Sequence, residues 1–210
     1  NAEKAVIYLQ RAGQQAAQRS AYGEASAQLI AALELLETLP ESRERLHLEL
    51  LVQITLGPVL SVAKGYAAPE VERSYTRARE LCQLVGDTPQ LAAVLGGLCT
   101  FYRNRGEFQT ARKLGEQLLA LAQRLHDPER LSYAHSMLGD ALFYLGEFVP
   151  ARAHLDQALA ISTTPQNRSL PSLFGRVARV NAFADRAWVL WLLGYPDQAL
   201  TQNHEMLTFA

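Results

Sequence analysis

Apolar residues recur at every third or fourth position along nearly the whole chain, which is the spacing of amphipathic helices. Two stretches repeat the pattern almost word for word: "RGEFQTARKLGEQLLALAQ" (Arg105 to Gln123) and "LGEFVPARAHLDQALAIS" (Leu145 to Ser162). Each begins Gly-Glu-Phe and places an Ala three residues after the Phe, at Ala111 and Ala151. Self-similarity at a fixed period marks repeat architectures. Four clusters of breakers divide the apolar pattern: Leu39-Pro40, Gly86 to Pro89, His126 to Pro128 and Thr163 to Pro171. No Val/Ile/Thr-rich alternating run argues for strands. The pattern predicts ten helices in five antiparallel pairs.

Anchored on the turn glycine, the frame extends along the chain. Before Gly146 stand His135, Leu138, Gly139 and Leu142; after it stand Ala151, Leu155 and Ala158. This approximates the tetratricopeptide pattern of Leu-Gly-x-x-Tyr followed by Ala-x-x-x-Phe. The first unit reads Leu9, Ala12, Gly13 and Ala16, then Ala25, Leu29 and Ala32, with Ser20 at the turn. The second reads Leu56-Gly57 and Leu60, then Gly65-Tyr66, Val71, Tyr75 and Ala78. The third has Leu95, Leu98, Cys99 and Tyr102 before Gly106, then Ala111 and Leu118. The fifth has Phe183, Ala187, Leu190, Gly194, Ala199 and Met206, and departs at Arg186, where a leucine is expected. A helix that must reverse within a few residues needs a left-handed residue, which glycine supplies without steric cost. Pro58 sits inside a predicted helix and should kink or split it. The anchors Val71, Ala111 and Ala151 give a period of about 40, longer than the 34 of standard tetratricopeptide units. The expected fold is therefore all-α, a right-handed α-solenoid of about five helix pairs.

The run "GYAAPEVERSYTRARELCQLVGDTPQL" (Gly65 to Leu91), with "RNRGEFQTARKLGEQLLALAQ" and "LWLLGYPDQAL", resembles the repeat region of large bacterial signalling ATPases. In that family an output domain, often a class III adenylate/guanylate cyclase, precedes an NTPase domain and a C-terminal tetratricopeptide-like superhelix. The resemblance runs from Ala5 onward and departs at Phe174 to Ala184. It implies regulation in cis, with the superhelix sensing a partner or ligand and releasing the linked enzyme. Asn1-Ala2 reads as the remnant of an expression tag, and residues 3–210 as a single superhelical domain cut from a longer chain.

Composition narrows the function classes. Twenty basic and 21 acidic residues leave a net charge of -1, which gives no footprint for nucleic acid or an acidic membrane. Hydrophobic residues make up 49% of 210, enough for a sizeable core. Cys82 and Cys99 lie in apolar helical patterns and read as reduced core thiols, with a buried disulfide the alternative. No run reads as a membrane span or signal peptide, so a cytoplasmic protein is expected.

Catalytic signatures are missing. There is no P-loop, no His-Glu-x-x-His and no Cys-x-x-Cys, and the five histidines are scattered. No cofactor or metal is expected, and the fragment is read as non-enzymatic. The Asn167-Arg168-Ser169 sequon carries no meaning in a cytoplasmic bacterial protein. The basic run Arg73 to Arg79 reads as a solvated helix face.

What remains is a binding groove lined by the first helix of each pair. Its candidate residues are Arg103 and Asn104, then Tyr133, Asp140, Phe143 and Tyr144, then Trp188 and Trp191. Aromatics with a few polar groups suit a peptide or a small-molecule ligand. A helical aromatic stripe is more often core than site, so packing between adjacent pairs is the competing account of Phe143 and the tryptophans, and helix capping accounts equally for Arg103 and Asn104. The partner expected is a protein or peptide, including the parent's own ATPase domain. A sugar-type sensor and a free-standing peptide scaffold are the alternatives. A carboxylate-clamping scaffold is disfavoured because Val52, Thr55, Val59 and Val62 hold its groove positions. Ala199, Leu200, Met206, Leu207 and Phe209 are expected to form an exposed apolar strip capable of self-association.

Overall fold

The protein is described by a computed structural model covering residues 2–86, 88–162 and 173–209. Among these residues there are ten helices and no strand: α1 (Ala2–Gln18), α2 (Tyr22–Glu37), α3 (Arg43–Lys64), α4 (Pro69–Val85), α5 (Thr88–Asn104), α6 (Phe108–Leu125), α7 (Pro128–Tyr144), α8 (Phe148–Ser162), α9 (Leu173–Leu192) and α10 (Pro196–Phe209). The Thr163 to Pro171 break and the Asn167 sequon lie outside the described residues, as do the side chains of Phe174 and Phe209. Two compact units divide the chain, residues 1–105 and 106–210.

Helix ends follow the local chemistry. Ser42 caps α3 by accepting from the Arg45 backbone N–H at 3.1 Å. Asp127 caps α7 by accepting from the N–H groups of Glu129 and Arg130, both at 3.0 Å, with Pro128 at the first helical position. Turns take left-handed residues: Gly106 at φ 78°, Gly146 at 77° and Gly194 at 87°. Ser20 occupies the same place in the first turn at φ 60°, a conformation that non-glycine residues adopt only at a cost.

In the first unit α1 packs antiparallel to α2 and α3 to α4, α3 also lies against α1 and α2, and α5 against α3 and α4. The α1/α2 contact is closed by Gly13. A methyl there would stand 2.7 Å from Leu29 Cγ and 3.2 Å from the Ala25 carbonyl oxygen. In the second pair, the Tyr75 ring fills the space left by Gly57 of α3 and Gly97 of α5. Burial pushes the Tyr75 phenol well above its ordinary range, so it stays neutral. Cys82 and Cys99 are buried and not joined in a disulfide.

Three expectations need correcting here. Helix α3 runs unbroken through Pro58, whose ring faces solvent, so Pro58 does not split it. Arg77 is not simply a solvated charge. Its guanidinium forks onto buried Glu49, at 2.6 Å and 3.2 Å, and also reaches Glu80. Finally, α3 is long and apolar enough to cross a membrane by length and composition, but half of that stretch is buried within its own unit. Its apolar surface is engaged by α1, α2, α4 and α5.

In the second unit α7 packs against α6, α8 and α9, and α9 also packs on α8 and α10. The α7/α8 contact reproduces that of α1/α2. A methyl on Gly139 would meet Leu155 Cγ at 2.7 Å and the Ala151 carbonyl oxygen at 3.3 Å. Ala25 and Leu29 follow Gly13 by the same 12 and 16 residues as Ala151 and Leu155 follow Gly139. One sequence frame therefore yields one packing geometry in two places. Leu138, Leu142, Leu155, Ala158, Phe183 and Val189 form a continuous core in this unit. Arg186, which replaces an expected leucine, does not break the frame. Its guanidinium turns to Asp156 and to buried Gln202, so a polar network substitutes for an apolar contact.

Candidate functional site

Helix α7 carries four of the residues singled out from sequence, and their fates differ. Tyr133 and Asp140, two turns apart on one stripe, are both buried. Phe143 is partly buried against the core, its ring 6.0 Å from that of Phe148. Tyr144 is 47% exposed and stacks on Phe108, with ring centroids 5.2 Å apart and planes at 15°. The aromatic after each Gly-Glu pair thus braces the end of α7. Glu147 beside it accepts from Arg112 of α6 at 3.0 Å. These contacts engage Phe143 and Tyr144 at the end of α7. Arg103 and Asn104 belong to the first unit. Arg103 is half-buried, and the exposed Asn104 amide donates to the Thr100 carbonyl at 2.7 Å, closing the end of α5.

The two tryptophans are placed differently. Trp188 is 53% exposed and Trp191 57% exposed, with ring centroids 5.5 Å apart and planes tilted by 40°. Their spacing of three residues puts both on one face of α9. They wall a groove of about 470 Å³ between α9 and α10. Its floor is made of small side chains, Ala184, Ala187 and Ala199. Pro196, Leu200 and Met206 complete the apolar wall, and Asn203 supplies an amide. The volume falls within the roughly 300–1,000 Å³ range of binding sites, and two half-exposed indoles are anchors of the kind that dominate interfaces. The apolar strip expected at the chain's end is revised accordingly. Ala199 is buried in the floor, Met206 is half-buried, and Leu200 and Leu207 are exposed.

One pairing was not read from the sequence. His135 of α7 and His154 of α8 face each other with their Nδ1 atoms 2.9 Å apart. One ring must donate and the other accept, so the pair holds a single proton between the two nitrogens. Burial lowers the His135 pKa to about 4, helped by His154 opposite. Burial also lowers His154, partly offset by Glu116 of α6. Only hairpin arithmetic could have signalled this contact, since the two residues flank Gly146 at similar distances. Among the described residues, no group of three or more metal-type side chains converges.

The pair predicts an acid-sensitive unit. A histidine whose folded pKa lies below its unfolded value of 6.5 leaves stability intact above that pH and erodes it as pH falls toward 4. After allowance for solvent screening, about 1–2 kcal/mol should be lost between pH 7 and pH 4.5. Urea denaturation of the parent protein and of His135→Gln at both pH values measures it. An equal loss in both proteins would remove His135 as the cause.

A tetratricopeptide repeat family model matches residues 90–164. No curated protein sequence matches the chain. Among solved structures, the apo form of RapI is similar with a TM-score of 0.77 and 14% identity, over 98% of this chain and 70% of that one. A Podosopora anserina protein described as a kinesin light chain with nearly identical TPR-like repeats gives a TM-score of 0.71 at 17% identity, over 100% and 96%. BtubC from P. vanneervenii gives 0.59 at 14% identity, over 100% and 73%. The chain is a TPR-like helical domain, with the all-helical architecture of TPR-like solenoids.

Proposed function

We propose that this domain is a non-catalytic interaction module that captures a protein or peptide segment in the α9/α10 groove. TPR-like repeats generally mediate protein–protein interaction, and their fold is typically non-catalytic. The observation that carries the reading is the pair of half-exposed, adjoining indoles over an alanine floor, since a contiguous exposed apolar patch in a groove supports an interaction site where single exposed side chains do not. Within a longer bacterial signalling ATPase or nucleotide cyclase of the kind the chain resembles, occupation of the groove would control the linked output domain. The parent's own ATPase domain is one such partner. A cytoplasmic setting is part of the same proposal.

A thermal-shift screen against a random peptide library, sugars, nucleotides and amino acids tests it. Peptides are expected to raise the melting temperature, and Trp191→Ala to abolish the rise. If sugars or nucleotides alone produce a Trp191-dependent rise, the domain is a small-molecule sensor instead. If nothing produces one, the groove is not a binding site.

A further inference from the structure

Helix packing holds two imidazoles together at the α7/α8 seam. Gly139 lets the helices approach until Leu155 occupies the space that a side chain at 139 would need. His135 lies one turn before Gly139, and His154 is the chain neighbour of Leu155, so the same close approach brings the two rings together. Their Nδ1 atoms stand 2.9 Å apart and their centroids 5.2 Å apart, with the planes tilted by 36°. Both residues are half-buried, so each ring keeps part of its surface in water. The charges nearby come from α6 and the turn before α8. Arg112 donates to Glu116 and to Glu147, each at 3.0 Å, so one cation stands against two carboxylates. Glu116 also acts on His154 as a nearby negative charge. The surroundings of the pair therefore favour a cation.

We propose that His135 and His154 form a bidentate site for a divalent transition-metal ion of the Zn²⁺, Ni²⁺ or Cu²⁺ class, which replaces the shared proton and staples α7 to α8. This site is independent of the groove reading. Metal–imidazole bonds are about 2.0–2.1 Å long, so two nitrogens bound side by side on one ion lie about 3 Å apart. That spacing is already present in the pair. The ion takes a place beside the line joining the two nitrogens, and small tilts of the half-exposed rings turn both lone pairs onto it. The proton is accounted for within the pair. The ring that donates from Nδ1 passes that proton through solvent to its own Nε2, and both rings remain neutral. Burial favours the neutral form of both rings, and the neutral form is the one that binds metal. Among the described residues no third metal-type side chain joins the pair, so water fills the remaining coordination positions. Imidazole ligands select ions of this class over Mg²⁺ and Ca²⁺, which take oxygen ligands. The other histidines, His47, His126 and His204, are exposed. Only His135 and His154 are fixed against each other by the packing of two helices.

The test uses the whole chain, stripped of metal by a chelator, with zinc chloride and nickel chloride as probes and magnesium chloride as the control. Zinc and nickel are expected to raise the melting temperature saturably, and magnesium to leave it unchanged. His135→Gln should weaken the zinc effect about tenfold or more, the cost of losing even a supporting residue of a metal site. His126→Gln should leave it intact. Imidazole ¹⁵N resonances give a readout that does not depend on stability. Zinc should shift the Nδ1 signals of His135 and His154 together and leave both rings protonated at Nε2. If His135→Gln fails to fold, this titration of the parent protein decides alone. No joint shift of the two Nδ1 signals overturns the proposal, as does a shift of one ring only. So does a melting rise that survives His135→Gln in full, which would assign the metal to other side chains.

Discussion

Gly97→Ala is expected to destabilise the first unit by about 3 kcal/mol, although alanine is the better helix former. The cause is the Tyr75 ring. A methyl on Gly97 would stand 2.2 Å from Tyr75 Cζ and 2.3 Å from Cε1, well inside contact. The ring cannot retreat, because a methyl on Gly57 of α3 would already meet it at 2.5 Å. Tyr75 is thus clamped between two glycines on two helices, and either methyl must push helices apart or force the ring from its rotamer. The helix-propensity gain of about 1 kcal/mol works in the opposite direction and is the smaller effect. Urea denaturation followed by circular dichroism measures the outcome. The double variant Gly97→Ala/Tyr75→Leu should recover much of the loss, since the shorter side chain vacates the contested space. A Gly97→Ala protein more stable than its parent would show that α5 does not approach Tyr75 this closely.

Leu155→Ala should cost the second unit about 3 kcal/mol, within the range of roughly 2–5 kcal/mol for emptying a leucine site in a close-packed core. Leu155 is fully buried and joins α7, α8 and α9 in one cluster. The helix backbones fix the spacing around it, so the cavity cannot collapse fully. Leu29 holds the equivalent place over Gly13 and is also fully buried, so Leu29→Ala should cost a similar amount in the first unit. The reporters separate the two effects. Both tryptophans lie in the second unit, so indole emission follows Leu155→Ala directly, whereas Leu29→Ala is read by circular dichroism. A loss under about 1 kcal/mol for Leu155→Ala would mean that the core repacks around the gap.

Local rules made much of the fold legible in the sequence. The 3.6-residue period, the turn glycines and the Pro and Asp breakers act over a few residues each, so they located ten helices without knowledge of their neighbours. The repeated frame placed Ser20 at the turn position, and the structure gives it the left-handed conformation of the turn glycines, φ 60°. Long-range choices were not legible in the same way. Nothing in the run Leu95 to Leu98 says that Gly97 clears space for a tyrosine 22 residues earlier. Nothing in the α7 pattern says that Tyr133 and Asp140 turn inward while Tyr144 stacks on Phe108. Aromatic residues at helical spacing carry the same signal whether they pack or bind.

The sequence by itself therefore determined helix number, helix ends and the repeating Gly-to-Leu contact, because each depends on backbone conformation or on a fixed distance from a turn. Only the tertiary structure decided which aromatics are buried, that His135 meets His154, and that Trp188 and Trp191 stand over an open groove. Those outcomes depend on which neighbouring helix covers a given face, and a helix cannot encode in its own periodicity whether its apolar stripe has been covered.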